Sequence, residues 1–258
     1  MGIKIHNDDA FIKMRKSGQI AANILDYITP FIKPGISTNY LNDLCHNKIL
    51  DYNAIAAPLN YKGYPKSICT SVNHVVCHGI PSDKILYNGD ILNIDVTVIY
   101  DGWHGDTSRM FFVGDVSVKA KNLVKVTYEC LMLGIEQVKP GAKFSNIGVA
   151  IENHANKHGF SVVRDYCGHG IGEVFHDAPN ILHYGNDNNE VMKEGMFFTI
   201  EPMINSGKHQ TILSKHDGWT VTTRDKKLSA QFEHTLAVSK DGFEIFTKSP
   251  KSINHPDF

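Results

Sequence analysis

The sequence contains no long apolar run and no excess of charge of either sign. No stretch approaches the roughly 18 consecutive apolar residues of a membrane-spanning helix, and the N-terminus has no apolar signal core. The 26 basic residues are balanced by 27 acidic ones, which gives a net charge of −1. Nucleic acids and anionic membranes select basic surfaces, so we expect neither nucleic-acid specificity nor a membrane partner.

Paired cysteines are also missing. The five cysteines are an odd number without any Cys-x-x-Cys pair, which indicates neither a disulfide framework nor a thiolate zinc site; they are Cys45, Cys69, Cys77, Cys130 and Cys167. A reduced, cytoplasmic protein is expected. Histidine, by contrast, is abundant, and 14 of them suggest metal ligands or acid–base groups. Without linkers or low-complexity segments, residues 1–258 are expected to form one domain.

The segment 89–106 predicts a β-hairpin. Apolar residues at 92, 94, 96 and 98 alternate with polar ones, and Asp101-Gly102 suits a two-residue type I′ turn. That turn would place Thr97 opposite Asp106, so Asp95 and Asp106 would share one sheet face. Aspartates in hairpins are often simply solvated. Beside an apolar face, however, a pair of divalent ions would compensate their charge.

Helix and strand signals alternate along the rest of the chain. Caps and Lys-Pro-Gly stops predict helices over about 8–28, 37–50, 117–138 and 145–159. Strands are expected at 67–72, 160–164 and 196–204. A final hairpin is predicted from 219 to 236, with its turn at 224–228. His46, His154 and His158 fall on predicted helices and are expected to be exposed.

The two halves of the chain repeat one pattern. Lys33-Pro34-Gly35 recurs 106 residues later as Lys139-Pro140-Gly141, and Gly89-x5-Asp95 recurs at the same offset as Gly195-x5-Glu201. His78-x-x-Pro81 recurs approximately as His176-x-x-Pro179. Such a duplicated unit predicts an α+β fold, in which two helix pairs pack on a shared antiparallel sheet. Pseudo-symmetric halves at about 8–113 and 117–238 would bring Asp95 and Glu201 to equivalent places.

Five side chains are candidate metal ligands: Asp95, Asp106, His169, Glu201 and Glu233. Four carboxylates with one imidazole favour Mn, Fe(II), Co or Mg over a thiolate-type zinc. A pair of such ions activates water and polarises a carbonyl, so the predicted chemistry is metal-assisted hydrolysis of an amide.

Short runs spread over almost the whole chain resemble the type I methionine aminopeptidases, in their short bacterial form. They are Asn93–Thr97, His104–Arg109, Cys167–Gly172, Phe198–Met203 and Gln231–Thr235, with Tyr64–Ser67 and Asp217–Val221 narrowing the match. The resemblance implies the pita-bread (creatinase/aminopeptidase) fold. It also implies that Asp95 chelates one metal, that Asp106 and Glu233 bridge two, and that His169 and Glu201 complete the second. Mn, Fe(II) or Co is expected there, with Zn as a further candidate.

The resemblance assigns catalytic and substrate-binding roles as well. Glu201 would be the general base, and His78 and His176 would contact the scissile amide. An apolar pocket for methionine would be formed by Tyr61, Tyr64, Cys69, Phe175 and Trp219.

The function implied is removal of the initiator methionine from nascent chains whose second residue is small. The expected partners are nascent polypeptide N-termini, with transient ribosome association, and the expected state is a monomer. Two alternatives stay open. One is a prolidase-like or proline-aminopeptidase-like metallopeptidase, and the other is an inactive binding relative.

Overall fold

Four α-helices are present in the computed structural model, which describes residues 2–258; they are α1 (Asp8–Ile28), α2 (Thr38–Asp51), α3 (Val118–Ile135) and α4 (Ser145–Lys157). Side-chain caps explain three of the starts, because the side chains of Asn7, Ser37 and Ser117 accept backbone N–H groups of the first turns. Within the same residues, no helix combines the length and the apolarity that crossing a membrane requires.

Fifteen strands among the described residues form one large antiparallel sheet and two small ones. They are β1 (Ile55–Ala56), β2 (Cys69–Val72), β3 (Val75–Cys77), β4 (Ile91–Tyr100), β5 (Trp103–Phe112), β6 (Ser161–Val162), β7 (Gly168–Gly170), β8 (Asp177–Ile181), β9 (Phe197–Ile200), β10 (Met203–Asn205), β11 (Thr211–Leu213), β12 (Val221–Thr223), β13 (Ser229–Gln231), β14 (Glu233–Ser239) and β15 (Gly242–Ile245). The large sheet has the order β1-β4-β5-β14-β9-β7-β8, with β2 beside β4 and β15 beside β14.

The central hairpin has the predicted register. Tyr100 pairs with Trp103, and Thr97 pairs with Asp106. Asp101 and Gly102 both have positive φ, at 50° and 78°, as a type I′ turn requires.

Two strand predictions are wrong. The predicted strand 196–204 is broken after Ile200, because Pro202 has no N–H for a ladder, and its halves β9 and β10 join different sheets. The predicted hairpin 219–236 does not form: β12 pairs with β11 and β3, whereas β13 pairs with β10. Alternation along a strand identifies its two faces but not its partners.

The two helix pairs cover the large sheet through two separate cores, as the α+β prediction required. Side chains of α1 and α2 pack with β4, with Ile24, Leu41 and Ile94 fully buried among them. Side chains of α3 and α4 pack with β9 and β14 in a second core. At Gly105 of β5, an added Cβ would overlap the backbone of Ser17, so helix α1 lies directly on the hairpin.

Local hydrogen bonds recur in the two halves at the same spacing of 106 residues. The N–H of Gly35 donates to the Leu86 carbonyl, as that of Gly141 does to Met192. The bridge between Ser37 and Ile85 likewise has a counterpart between Lys143 and Val191. The single domain and its division at 8–113 and 117–238 stay predictions.

Candidate metal centre

Five neighbouring strands of the large sheet each contribute one of the predicted ligands. In sheet order, these are Asp95 on β4, Asp106 on β5, Glu233 on β14, Glu201 directly after β9 and His169 on β7. All five line one cavity of about 390 Å³. Residues up to 138 positions apart in sequence therefore meet because their strands are adjacent.

The ligand atoms lie close together. Nε2 of His169 is 3.6 Å from Oδ2 of Asp106 and 3.7 Å from Oε1 of Glu201. One ligand atom each of Asp106, His169 and Glu233 lies within 4.8 Å of the other two. Asp95 occupies the same face of the hairpin as Asp106, one diagonal step away.

Asp106 and Glu233 are buried, Asp95 and Glu201 are partly buried, and no Lys or Arg of the described residues compensates the charge of these four carboxyl groups. Burial raises the pKa of Asp95 to about 7 and that of Glu201 to about 8. For Asp106 and Glu233, burial again comes first and the neighbouring carboxylates add to it, so both pKa values lie well above the usual range. Within residues 2–258, none of the four forms a salt bridge with Lys or Arg.

Two details show that divalent cations fit this arrangement. Oδ1 of Asp95 is buried and has no hydrogen-bond partner among the described residues. Nδ1 of His169 lies 3.1 Å from the Gly170 carbonyl, which only accepts, so Nδ1 carries the proton and Nε2 presents its lone pair to carboxylate oxygens. Burial also lowers the pKa of His169 to about 4. A divalent ion between these oxygens and the imidazole nitrogen would satisfy their lone pairs and compensate the carboxylate charge.

Neighbouring polar groups orient the ligands, and the sequence reasoning missed them. Thr97 donates to Oδ1 of Asp106 at 2.7 Å, and Thr199 donates to Oε1 of Glu201 at 2.8 Å. Gln231 donates to the other oxygen of Glu201 at 3.3 Å. Thr97, Thr199 and Gln231 each stand two residues from a predicted ligand. Because side chains two apart on a strand share a face, this spacing was the sequence signal that could have identified them.

A histidine far from the ligands in sequence also holds Glu201. The backbone N–H of Glu201 donates to Nε2 of His183, which is fully buried, at 3.1 Å. Burial lowers the pKa of His183 to about 3, so the ring stays neutral and can accept. No sequence pattern pointed to this contact.

Glycines on either side of His169 allow its strand to fit between its neighbours. An added Cβ would overlap the Thr199 carbonyl at Gly168 and the Ala178 carbonyl at Gly170. The β7 backbone is therefore held tightly between β8 and β9, and the imidazole position follows from it.

The structure brings all seven predicted substrate-contacting residues to the same cavity wall: Tyr61, Tyr64, Cys69, His78, Phe175, His176 and Trp219. The Trp219 ring packs edge-on against Tyr64 with 5.2 Å between ring centroids, and the centroid of the His78 ring lies 6.1 Å from that of Trp219. Opposite them, the Tyr61 ring lies 4.9 Å from Phe175, and its hydroxyl is 3.0 Å from Nδ1 of His176.

Further wall residues were not anticipated. They are Pro58, Lys62, Thr97, Cys77, Asp165, Tyr166, Cys167, Met203 and Gln231. Three of them, Cys77, Cys167 and Met203, carry sulfur, which adds soft and polarisable surface to an aromatic wall.

Comparisons with known proteins agree with this site. The profile of metallopeptidase family M24 matches residues 12–240. The chain is 67% identical to the methionine aminopeptidase of Rickettsia prowazekii over 259 aligned residues, which cover 100% of both chains. It is 52% identical to the methionine aminopeptidase of Escherichia coli K12 over 96% of this chain and 94% of that protein.

The fold is shared as well. The crystal structure of methionine aminopeptidase from Rickettsia prowazekii superposes with a TM-score of 0.94, at 68% identity over 95% of this chain and 100% of that chain. The predicted pita-bread fold is thereby confirmed, and the prolidase-like alternative is not favoured. The chain belongs to metallopeptidase family M24 and, within it, to the methionine aminopeptidases.

Proposed function

We propose that this protein removes the N-terminal methionine from nascent polypeptides whose second residue is small. The observation that carries the proposal is the meeting of five ligand-type side chains in one cavity, without Lys or Arg pairing to the carboxylates among the described residues. Four neighbouring carboxylates, two of them buried and two partly buried, are costly without a counter-charge in any role other than cation binding. A catalytically inactive binding relative would have no use for them.

The proposed cofactors are two divalent ions, with Mn, Fe(II) or Co ahead of Zn because oxygen ligands outnumber nitrogen. Asp95 would chelate one ion, Asp106 and Glu233 would bridge both, and His169 and Glu201 would complete the other. When bound, the ions supply Lewis acidity toward the scissile carbonyl and lower the pKa of the attacking water.

Glu201 is the proposed general base and the carrier of the proton to the leaving amine. Hydrogen bonds from Thr199 and Gln231 hold its two oxygens. The backbone N–H of Glu201, bound by His183, fixes the main chain at the strand break. A base that is restrained at both oxygens and at its backbone is oriented before substrate arrives.

The two cavity-wall histidines are proposed to bind the scissile amide. His78 directly follows β3 and His176 directly precedes β8, and both imidazoles line the cavity. Either can donate to the oxygen that gains charge during attack. The wall formed by Tyr64, Cys69 and Trp219 would accept the thioether side chain of methionine.

The free α-amino group of the substrate would lie near the carboxylates. A formylated N-terminus lacks that charge and is proposed to escape cleavage. We further propose that the protein works as a cytoplasmic monomer with transient ribosome contact, since the net charge of −1 provides no overall basic excess to favour stable RNA binding.

The test is hydrolysis of Met-Ala-Ser by chelated protein that has been resupplied with Mn, Fe(II), Co or Zn separately. Asp106→Asn keeps the shape of the side chain but removes a ligand charge, and we expect at least about a 100-fold loss of kcat/KM. The matched control is Asp101→Asn, on the exposed turn of the same hairpin, which should leave the rate unchanged.

Two substrates separate the alternatives. An X-Pro dipeptide should be a far poorer substrate than Met-Ala-Ser, and N-formyl-Met-Ala-Ser should not be cleaved. Absence of turnover with every metal, or equal activity of Asp106→Asn and Asp101→Asn, would reject the proposed function.

A further inference from the structure

A second group of metal-ligand side chains lies outside the catalytic cavity, where helix α3 meets helix α4. Glu129 stands on α3, His154 stands on α4, and His158 caps the C-terminus of α4. No residue of either helix lines the cavity described above. The group is therefore independent of the candidate metal centre.

The three side chains present one ligand atom each to a common point. A carboxylate oxygen of Glu129 and one ring nitrogen from each histidine all lie within 4.8 Å of one another. Oε2 of Glu129 is already 2.8 Å from Nε2 of His154, and the ring centroids of His154 and His158 are 4.6 Å apart. Ligand atoms around a tetrahedral ion with bonds of about 2.1 Å are separated by about 3.4 Å, which lies between the 2.8 Å of this pair and the 4.8 Å limit of the group.

The spacing of the histidines is suited to this role. Residues four apart on a helix are neighbours on one face, and two histidines at this spacing bind one ion in known metal helices. His158 follows the last helical residue, yet its backbone N–H still lies 3.3 Å from the His154 carbonyl. One helical turn thus holds the two rings side by side.

The third ligand is held in place by close helix packing. At Gly134 of α3, an added Cβ would lie only 2.8 Å from Cδ1 of Ile151 on α4. The sulfhydryl of Cys130, next to Glu129, lies 3.6 Å from the Ile151 carbonyl. These contacts fix the distance between the backbones that carry the carboxylate and the imidazoles, so the site is largely formed before an ion binds.

The local charge also favours a cation. Among residues 2–258, the only salt-bridge partner of Glu129 is His154, and no Lys or Arg occupies its carboxylate. The site lies at the C-terminal end of α4, where the helix dipole places partial negative charge.

From this geometry we propose that Glu129, His154 and His158 form a second metal site, which binds one borderline divalent ion of the Zn²⁺ class. Two imidazoles and one carboxylate form a three-ligand set that zinc accepts with water in the fourth position. This nitrogen-rich set differs from the oxygen-rich catalytic set, so the two sites are expected to rank metals differently. A bound ion would cross-link α3 to the end of α4.

The experiment compares the zinc content of the wild-type chain and two variants after dialysis against buffered Zn²⁺. His158→Ala removes an exposed ligand, and Glu129→Gln keeps a hydrogen-bonding group in place of the charge. Lys157→Ala, beside His158 on the same exposed turn, is the matched control. We expect the wild type and Lys157→Ala to hold one zinc more than either ligand variant, or to bind that ion at least about tenfold more tightly.

Two further readouts make the result decisive. Anomalous diffraction at the zinc edge should give a peak between Glu129, His154 and His158, separate from the catalytic centre. Hydrolysis of Met-Ala-Ser by His158→Ala should equal that of the wild type, because His158 does not line the catalytic cavity. Equal zinc content in all four proteins, or anomalous density at the catalytic centre alone, would overturn the proposal whether or not the peptidase activity is found.

Discussion

Thr199 donates a 2.8 Å hydrogen bond to Oε1 of Glu201, and its hydroxyl also accepts the backbone N–H of His169 at 3.0 Å. One buried side chain thus connects two of the five proposed ligands, since Glu201 directly follows β9 and His169 stands on the adjacent strand β7. Glu201 can serve as a base only if its oxygens are held in place. Removing the Thr199 hydroxyl therefore tests the proposed role of Glu201 directly.

Thr199→Val has nearly the shape of threonine but cannot donate to Glu201 or accept from His169. We expect kcat/KM for Met-Ala-Ser and metal affinity to fall by about 10- to 100-fold, as is common when a partner of a metal ligand is removed. Thr199→Ser restores the hydroxyl and should recover most of the activity. Equal kinetics of the valine and serine variants would show that the contact has no role in the reaction.

Removal of divalent ions should destabilise the protein. The five proposed ligands lie on or directly beside five adjacent strands, and without an ion each neighbouring carboxylate disfavours the charged form of the others. A ligand that binds the native state alone stabilises it by mass action. Calorimetry should therefore give a lower Tm for chelated protein than for protein resupplied with Co²⁺. A Tm that is the same in both forms would contradict a metal centre at this position.

The buried pair of Asp26 and Arg109 should be important for stability although it lies outside the cavity. Asp26 accepts from Nη2 of Arg109 at 2.9 Å and from the hydroxyl of Ser249 at 2.8 Å, and both charged residues are at most 4% exposed. Asp26→Asn would leave the Arg109 charge buried without a partner, and we expect a loss of about 3–5 kcal/mol in the free energy of unfolding.

The exposed pair of Arg15 and Glu244, 2.6 Å apart, provides the matched control for Asp26→Asn. Glu244→Gln should cost at most about 1 kcal/mol, because water screens this pair. Denaturant titration measures both variants. Similar losses in the two would mean that burial does not govern these ion pairs.

His6 should make stability depend on pH. Its ring stacks on Phe197 with 4.2 Å between centroids, and burial, followed by the nearby charge of Lys4, lowers its pKa from 6.5 to about 4. Between these values the unfolded chain binds a proton that the folded chain does not, so this contribution to stability is present above pH 6.5 and is lost as the pH falls toward 4.

The variant His6→Phe keeps the stacked ring without the titrating nitrogen. The free energy of unfolding of the wild type, measured relative to this variant by denaturant titration, should decrease over that pH range and stay constant at higher pH. A difference that does not change with pH would contradict the assignment to His6.

The sequence alone determined the hairpin and pointed to the five proposed ligands. Alternation and the Asp101-Gly102 turn act over a few residues, so they fixed the pairing of Thr97 with Asp106 without knowledge of the rest of the fold. Helix starts at Asn7, Ser37 and Ser117 were predictable for the same reason, since capping is local.

Tertiary structure alone decided which distant groups meet. His183 meets Glu201, and Glu129 meets His154 and His158, although no local sequence period relates the partners in either contact. The pairing of β12 and β13 with different strands is likewise not visible in any local pattern. Strand order and helix packing set these distances, and both depend on the burial of the whole chain rather than on any short segment.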